Sequence, residues 1–211
     1  MPRTTAPARL TDRKRAAILA AAVAEFRTAG YEATSMDRIA ASAGVSKRTV
    51  YNHFPGKEAL FLRILEDMMS HGGGALDLPY RADAPLRAQL AELVRRKLQL
   101  LRDPDFADLA RIAIAAGLHH PDLAREMIES LGQREEGLTA WVRAAAADGR
   151  LEAADPGLAA KQLEALVKGF AFWPQIAMGQ PLLTEAEQEA VASAAVEMFL
   201  ACYGREASAS S

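Results

Sequence analysis

The sequence predicts an all-α protein, and three observations carry that reading. Half of the residues are hydrophobic, only 6 % are aromatic, and alanine and leucine dominate with few β-branched runs, a composition that favours helices. Prolines and capping residues recur where helices would begin. No stretch alternates apolar and polar residues as a half-buried strand would. The 211 residues allow one large domain or two small ones.

The elements follow in order. Residues 1–10 are a tail containing Pro, Ala and Arg, expected to be flexible. Thr11 is placed to cap a first helix that ends near Gly30, with Ile18, Ala22, Phe26 and Ala29 inward. The run Arg13-Lys14-Arg15 followed by alanines mimics a signal peptide, but Glu25 and Arg27 interrupt it. Ser35 caps a short helix to about Ala43. Gly44 supplies the positive φ of a tight turn, and Ser46 caps a second short helix. A further helix is expected from Lys57 to about His71, stopped by Gly72, Gly73 and Gly74. Pro85, Pro104, Pro121 and Pro156 stand at first helical positions, giving helices near 85–102, 104–117, 121–148 and 156–178, with Pro174 kinking the last of these. Thr184 to Glu187 is a capping box that opens a final helix to about Tyr203, and residues 205–211 are a second flexible tail. Nine helices result: a small three-helix domain over residues 11–56, then a larger helical domain over 57–204.

Charge divides the chain in the same way. Residues 1–60 hold 10 Lys and Arg against 5 Asp and Glu, a local +5; the rest hold 15 against 22, a local −7. A basic N-terminal part on an acidic chain points to a nucleic-acid partner at that end. The short helix after Ser46 carries Lys47, Arg48, Thr49, Tyr51, Asn52 and His53, while Met36, Ile39, Ala40, Ala43, Val45, Val50 and Phe54 supply an apolar side. A helix so short needs packing to persist in water. Held rigidly and polar outward, it is shaped to enter a DNA major groove. Lys47 reaches a phosphate or a guanine edge, Arg48 offers a planar fork to guanine O6 and N7, and Thr49 offers a methyl or hydroxyl to a base. Asn52 fits base contact and solvent equally. Tyr51 also fits simple packing.

The stretch from about Thr11 to Leu65 resembles the N-terminal DNA-binding domain of TetR-family transcriptional regulators. The likeness rests on AAxxxFxxxGYxxTSMxxIAxxAGVSxxTVYxHFxxKEALF from Ala21 to Phe61. Gly56 departs from it, where the family often has Ser or Asn, and glycine is a tolerated cap. A DPxLAxxxLEALVxG stretch from Asp155 is similar to the C-terminal domains of AefR-like regulators. The resemblance implies phosphate contacts from Tyr51 and His53, and backbone clamps from Thr34 or Ser35 and from Lys57. It also implies a homodimer whose last two long helices pair with their copies, here through Leu163, Leu166, Val191, Ala195, Met198 and Phe199. It implies, finally, a repressor on a palindromic operator, released by a small apolar effector. Met68, Phe106, Ile112, Trp141, Phe170 and Trp173 are candidates to line that effector's pocket.

Other functions find little support. No Ser/His/Asp order, CxxC, HExxH or glycine-rich nucleotide loop is present, which argues against an enzyme and against a cofactor. His119-His120 precedes Pro121 at a turn and reads as a loop cap rather than a metal site. The one cysteine, Cys202, reads as a small hydrophobe near a helix end and suits a reducing compartment. No apolar run approaches the ~20 residues of a membrane span, so a cytoplasmic location is expected. A helical protein-interaction adaptor that binds no DNA is the alternative function.

Overall fold

A computed structural model describes residues 6–76, 78–132 and 137–205. The described residues form helices joined by short turns, with one isolated β-bridge between Leu151 and Gly204. In chain order the helices are α1 (Ala6–Ala33), α2 (Met36–Ser42), α3 (Lys47–His53), α4 (Lys57–Leu76), α5 (Leu86–Arg102), α6 (Pro104–His119), α7 (Pro121–Gly132), α8 (Gly137–Ala147), α9 (Pro156–Ala171), α10 (Trp173–Ala177) and α11 (Glu185–Tyr203). None is long and apolar enough to cross a membrane.

Most expected boundaries hold, and four differ. α1 begins at Ala6 rather than at a Thr11 cap. α4 continues through Gly72–Gly74 to Leu76, although each glycine costs a helix about 1 kcal/mol. The single helix expected over 121–148 is α7 and α8, and residues 133–136 between them lie outside the described part, as do residues 1–5 and 206–211 of the expected tails. The helix expected over 156–178 stops at Ala171, and α10 restarts at Trp173 with Pro174 in its first turn.

Two compact units emerge. The first comprises the described residues within Met1–Met69 together with Asp108–Gln133; the second comprises those within Ser70–Ala107 and Arg134–Ser211. α4 and α6 therefore supply residues to both.

The first unit is the N-terminal head. Its core draws Ile18, Ala22 and Phe26 from α1, Ile39 and Ala40 from α2, Val50 from α3, and Leu60, Phe61, Ile64 and Leu65 from α4. Leu109, Ala113 and Ala116 of α6 and Leu123 of α7 belong to the same cluster, which the sequence division at 56/57 does not anticipate. Phe26, Tyr31 and Phe61 stand with ring centroids 5.0–5.6 Å apart. Burying each such side chain contributes about 1.5–3 kcal/mol, far more than α2 or α3 gain from their own backbone bonds.

In the second unit α11 packs on α5 and α9, and α8 packs on α9. Leu90, Leu93, Val94, Leu98, Trp141, Val142, Leu163, Val167, Ala195, Val196 and Phe199 are all buried there. Thr184 closes its capping box with Glu187 at the start of α11. Arg95 donates from Nε and Nη2 to Glu189 at 2.8 and 2.7 Å, tying α5 to α11. Lys97 of α5 and Lys168 of α9 both pair with Glu164, whose side chain is 13 % exposed.

Candidate nucleic-acid interface

The turn between α2 and α3 is set by local chemistry. The Ser35 hydroxyl accepts from the Arg38 N–H at the start of α2, and the Ser46 hydroxyl accepts from the Thr49 N–H at the start of α3. Between them Gly44 lies at φ 64°. Its N–H donates to Ala41 O and that of Val45 to Ala40 O, so both carbonyls at the end of α2 are satisfied by a left-handed residue that only glycine adopts cheaply. Val50 is fully buried against the head's core and Phe54 nearly so, which fixes the roll of α3.

With that roll fixed, Lys47, Arg48, Tyr51 and Asn52 are exposed. Tyr51 is 52 % exposed. Lys47 Nζ lies 2.6 Å from Asp37 of α2, with both side chains more than half exposed. Such a pair contributes about 0–1 kcal/mol, so a phosphate can compete for the ammonium. Thr49 is half-buried and shares a 2.8 Å hydrogen bond with the Ser46 hydroxyl. His53 is half-buried beside Phe54.

Two expected contacts receive structural duties. Thr34 is 2 % exposed, and its hydroxyl donates to Gly30 O at 2.7 Å and Glu25 O at 3.2 Å, closing the end of α1. Burial takes it out of reach of a phosphate and leaves Ser35, which is exposed, as the accessible member of that pair. Lys57 is half-buried: its ammonium donates to Tyr31 O at 2.9 Å and stands 4.2 Å from the Tyr31 ring centroid, fastening α4 to the end of α1. Burial first, and then the Glu58 carboxylate, push the Tyr31 hydroxyl pKa above its ordinary value.

Sequence reading missed the contact of Arg15 with this helix pair. Its guanidinium carbon stands 5.7 Å from the Phe54 ring centroid, just beyond the end of α3. The basic run at 13–15 was its signal. Histidines 119 and 120 end at the α6–α7 corner, where His120 Nε2 lies 2.5 Å from Glu32 and the ring packs edge-on to Tyr31.

The pocket and interface candidates scatter. Met68 and Ile112 pack against the head's core. Trp141, 1 % exposed, meets Tyr80 edge-on, and Phe106 meets Phe172, both in the second unit. Phe170 and Trp173 are 63 % and 47 % exposed. Of the interface candidates, Leu163, Ala195 and Phe199 lie inside the second unit's own core, Leu166 and Val191 are half-buried, and Met198 is 57 % exposed. Cys202 is exposed rather than packed.

Comparison with known proteins agrees with this geometry. Residues 18–64 match the family of bacterial regulatory proteins, tetR family, and residues 88–205 match the AefR-like transcriptional repressor C-terminal domain. The chain is 30 % identical over 151 residues to the HTH-type transcriptional regulator RutR of Escherichia coli (strain K12), covering 70 % of this chain and 69 % of that protein. Among solved structures, it is similar to a TetR family transcriptional regulator from Pseudomonas syringae pv. tomato str. DC3000, at 48 % identity and a TM-score of 0.80 over 92 % of this chain and 99 % of that one. It is also similar to the flavonoid-responsive regulator FrrA, at 33 % identity and a TM-score of 0.78 over 93 % of this chain and 100 % of that one. Because one family match spans the head that presents α3 and the other spans most of the remaining chain, the protein belongs to the TetR family of bacterial regulatory proteins and is a DNA-binding transcriptional regulator, not an enzyme.

Proposed function

We propose that the protein is a repressor that binds a near-palindromic operator as a homodimer and is released by a small, largely apolar effector. The observation that carries the DNA half of this reading is α3 itself, capped by Ser46 and pinned by Val50, with Arg48, Tyr51 and Asn52 turned outward on the basic part of the chain. Replacing Arg48 by Ala should weaken operator binding by about 1–3 kcal/mol and relax preference at one base position. A gel shift with the DNA upstream of the protein's own gene checks both. Equal affinity of parent and variant for every duplex would remove α3 from base recognition, leaving the adaptor reading.

Two half-sites one helical turn apart, ~34–36 Å, call for two heads, hence a dimer. Phe170 on α9 and Met198 on α11 are large, apolar and exposed, and those helices pack on one another. With Leu166 and Trp173 they form the face assigned to the second copy, since large apolar side chains in water mark contact surfaces. Met198→Glu should give a folded monomer with weakened operator affinity, seen by sedimentation; a variant still dimeric at micromolar concentration would move the interface elsewhere.

The effector site is placed in the second unit near Phe106 and Trp141. The flavonoid responsiveness of FrrA supports an aromatic effector class. An effector acts only through different affinities for the DNA-competent and DNA-incompetent states, and α4 and α6, which contribute to both units, are the elements assigned to transmit that difference. A flavonoid that quenches tryptophan fluorescence should weaken operator binding, and operator should weaken the flavonoid by the same factor. Quenching with unchanged DNA affinity would make it a passenger.

A further inference from the structure

We propose that Asp37 is a specificity-determining residue of the head: its carboxylate holds the Lys47 ammonium in a neutral pair, so that this lysine serves the operator and is withheld from DNA of other sequence. The proposal rests on the DNA-binding reading of α3 above and deepens it. Asp37 stands in the first turn of α2, and Lys47 is the first residue of α3. Lys47 Nζ lies 2.6 Å from Asp37 Oδ2, so the pair bridges the starts of the two helices. Ser35, the exposed cap of α2 and a candidate phosphate clamp, is two residues from Asp37. A carboxylate therefore sits beside the group assigned to the phosphate backbone.

That carboxylate is out of keeping with its surroundings. Asp37 is the one Asp or Glu between Glu32 and Glu58, a stretch that holds Arg38, Lys47, Arg48 and Lys57. Stability does not account for it, because an exposed ion pair contributes little to folding and Ser35 already caps α2. An acid in a first turn also suits the helix dipole, but that effect needs no lysine opposite. Among the described residues, no ion pair takes Arg48, the next cation on α3, so its fork is left for a base while Lys47 is restrained. An ammonium carries three donors, so Lys47 can keep Asp37 and still donate to a groove edge once α3 is seated. On other sequences attraction comes from phosphates that release their counterions. There Lys47 adds its charge only by leaving Asp37, and the phosphate that takes it meets the released carboxylate. Specificity is a difference of affinities, and this pair lowers the side that belongs to the wrong sequences.

The test is Asp37→Asn in the full-length protein, which keeps the side-chain shape and removes the charge. A control carries Asp83→Asn, an exposed carboxylate of the second unit, with the same change in net charge. Binding to the upstream duplex that serves as operator and to a random duplex is measured from about 50 to 200 mM salt. Asp37→Asn should bind the random duplex about fivefold more tightly. It should steepen log affinity against log salt by about 0.9 for each head engaged. Its affinity for the operator should change far less, and the control should match the parent. The double variant Asp37→Asn, Lys47→Met carries the same local charge as the parent and should bind the random duplex like the parent. A double variant as tight as Asp37→Asn alone would make repulsion by Asp37 the whole effect and overturn the inference. So would Asp37→Asn with the parent's affinity and slope on the random duplex, or a loss confined to the operator, which would make Asp37 a base reader. Each of these leaves the α3 reading standing, whereas a parent that binds no duplex overturns both.

Discussion

Phe199→Glu should unfold the C-terminal unit rather than merely separate two protomers. Phe199 is 2 % exposed, its ring centroid lies 5.0 Å from that of Tyr203, and Ala195 and Val196 are buried beside it on α11. Removing a buried phenyl ring alone costs about 3–5 kcal/mol. A carboxylate in its place would lie among buried apolar side chains, and burying a charge unpaired adds several kcal/mol more or forces it to take up a proton. Since a domain of this size holds roughly 5–15 kcal/mol, the variant should lose its cooperative thermal transition and much of its helical circular dichroism. Met198→Glu, one residue earlier but pointing outward, should keep both. A folded, monomeric Phe199→Glu protein would mean that α11 is rotated from the arrangement described here.

Phe61→Ala should destabilise the head by about 3–5 kcal/mol and cost DNA affinity without touching DNA. The Phe61 ring is fully buried, 5.1 Å from Phe26 and 5.0 Å from Tyr31 by centroid. Tyr31 also receives the Lys57 ammonium on its carbonyl, so the cavity would loosen the end of α1 and the start of α4 together. The midpoint of thermal unfolding should drop by roughly 10 °C. Phe61→Leu should recover most of that, and with it operator binding. An alanine variant of unchanged stability would show that the aromatic trio contributes little to holding α3 in place.

What the sequence makes legible is what local chemistry decides. Ser35, Gly44, Ser46 and the Thr184 capping box each act on backbone groups within a few residues, so their effect can be read from spacing alone. The exposure of Arg48 and Tyr51 followed from the apolar positions of α2 and α3 in the same way. Long-range partners have no such signature. Val191, Ala195, Met198 and Phe199 recur at helical spacing on α11, but that spacing does not say whether Phe199 meets its own chain or a copy; it is buried within its own chain. The resemblance offered Thr34 or Ser35 as a backbone clamp without separating them, and the Thr34 hydroxyl is spent on Gly30 and Glu25 carbonyls inside the head. Three glycines read as a stop, but the helix from Lys57 to His71, already fifteen residues long, needs no new nucleus and can carry them.

The company that Leu109, Ala113, Ala116 and Leu123 keep with Phe26 and Phe61 bears on protein engineering. A head excised at residue 69 would leave bare the apolar surface that these four side chains cover, and should aggregate or melt. Grafting this head onto another regulator to exchange operator specificity would fail for the same reason unless the segment Asp108–Gln133 travels with it. The transplantable piece is discontinuous in the gene, and a working chimera needs two crossovers more than the motif suggests.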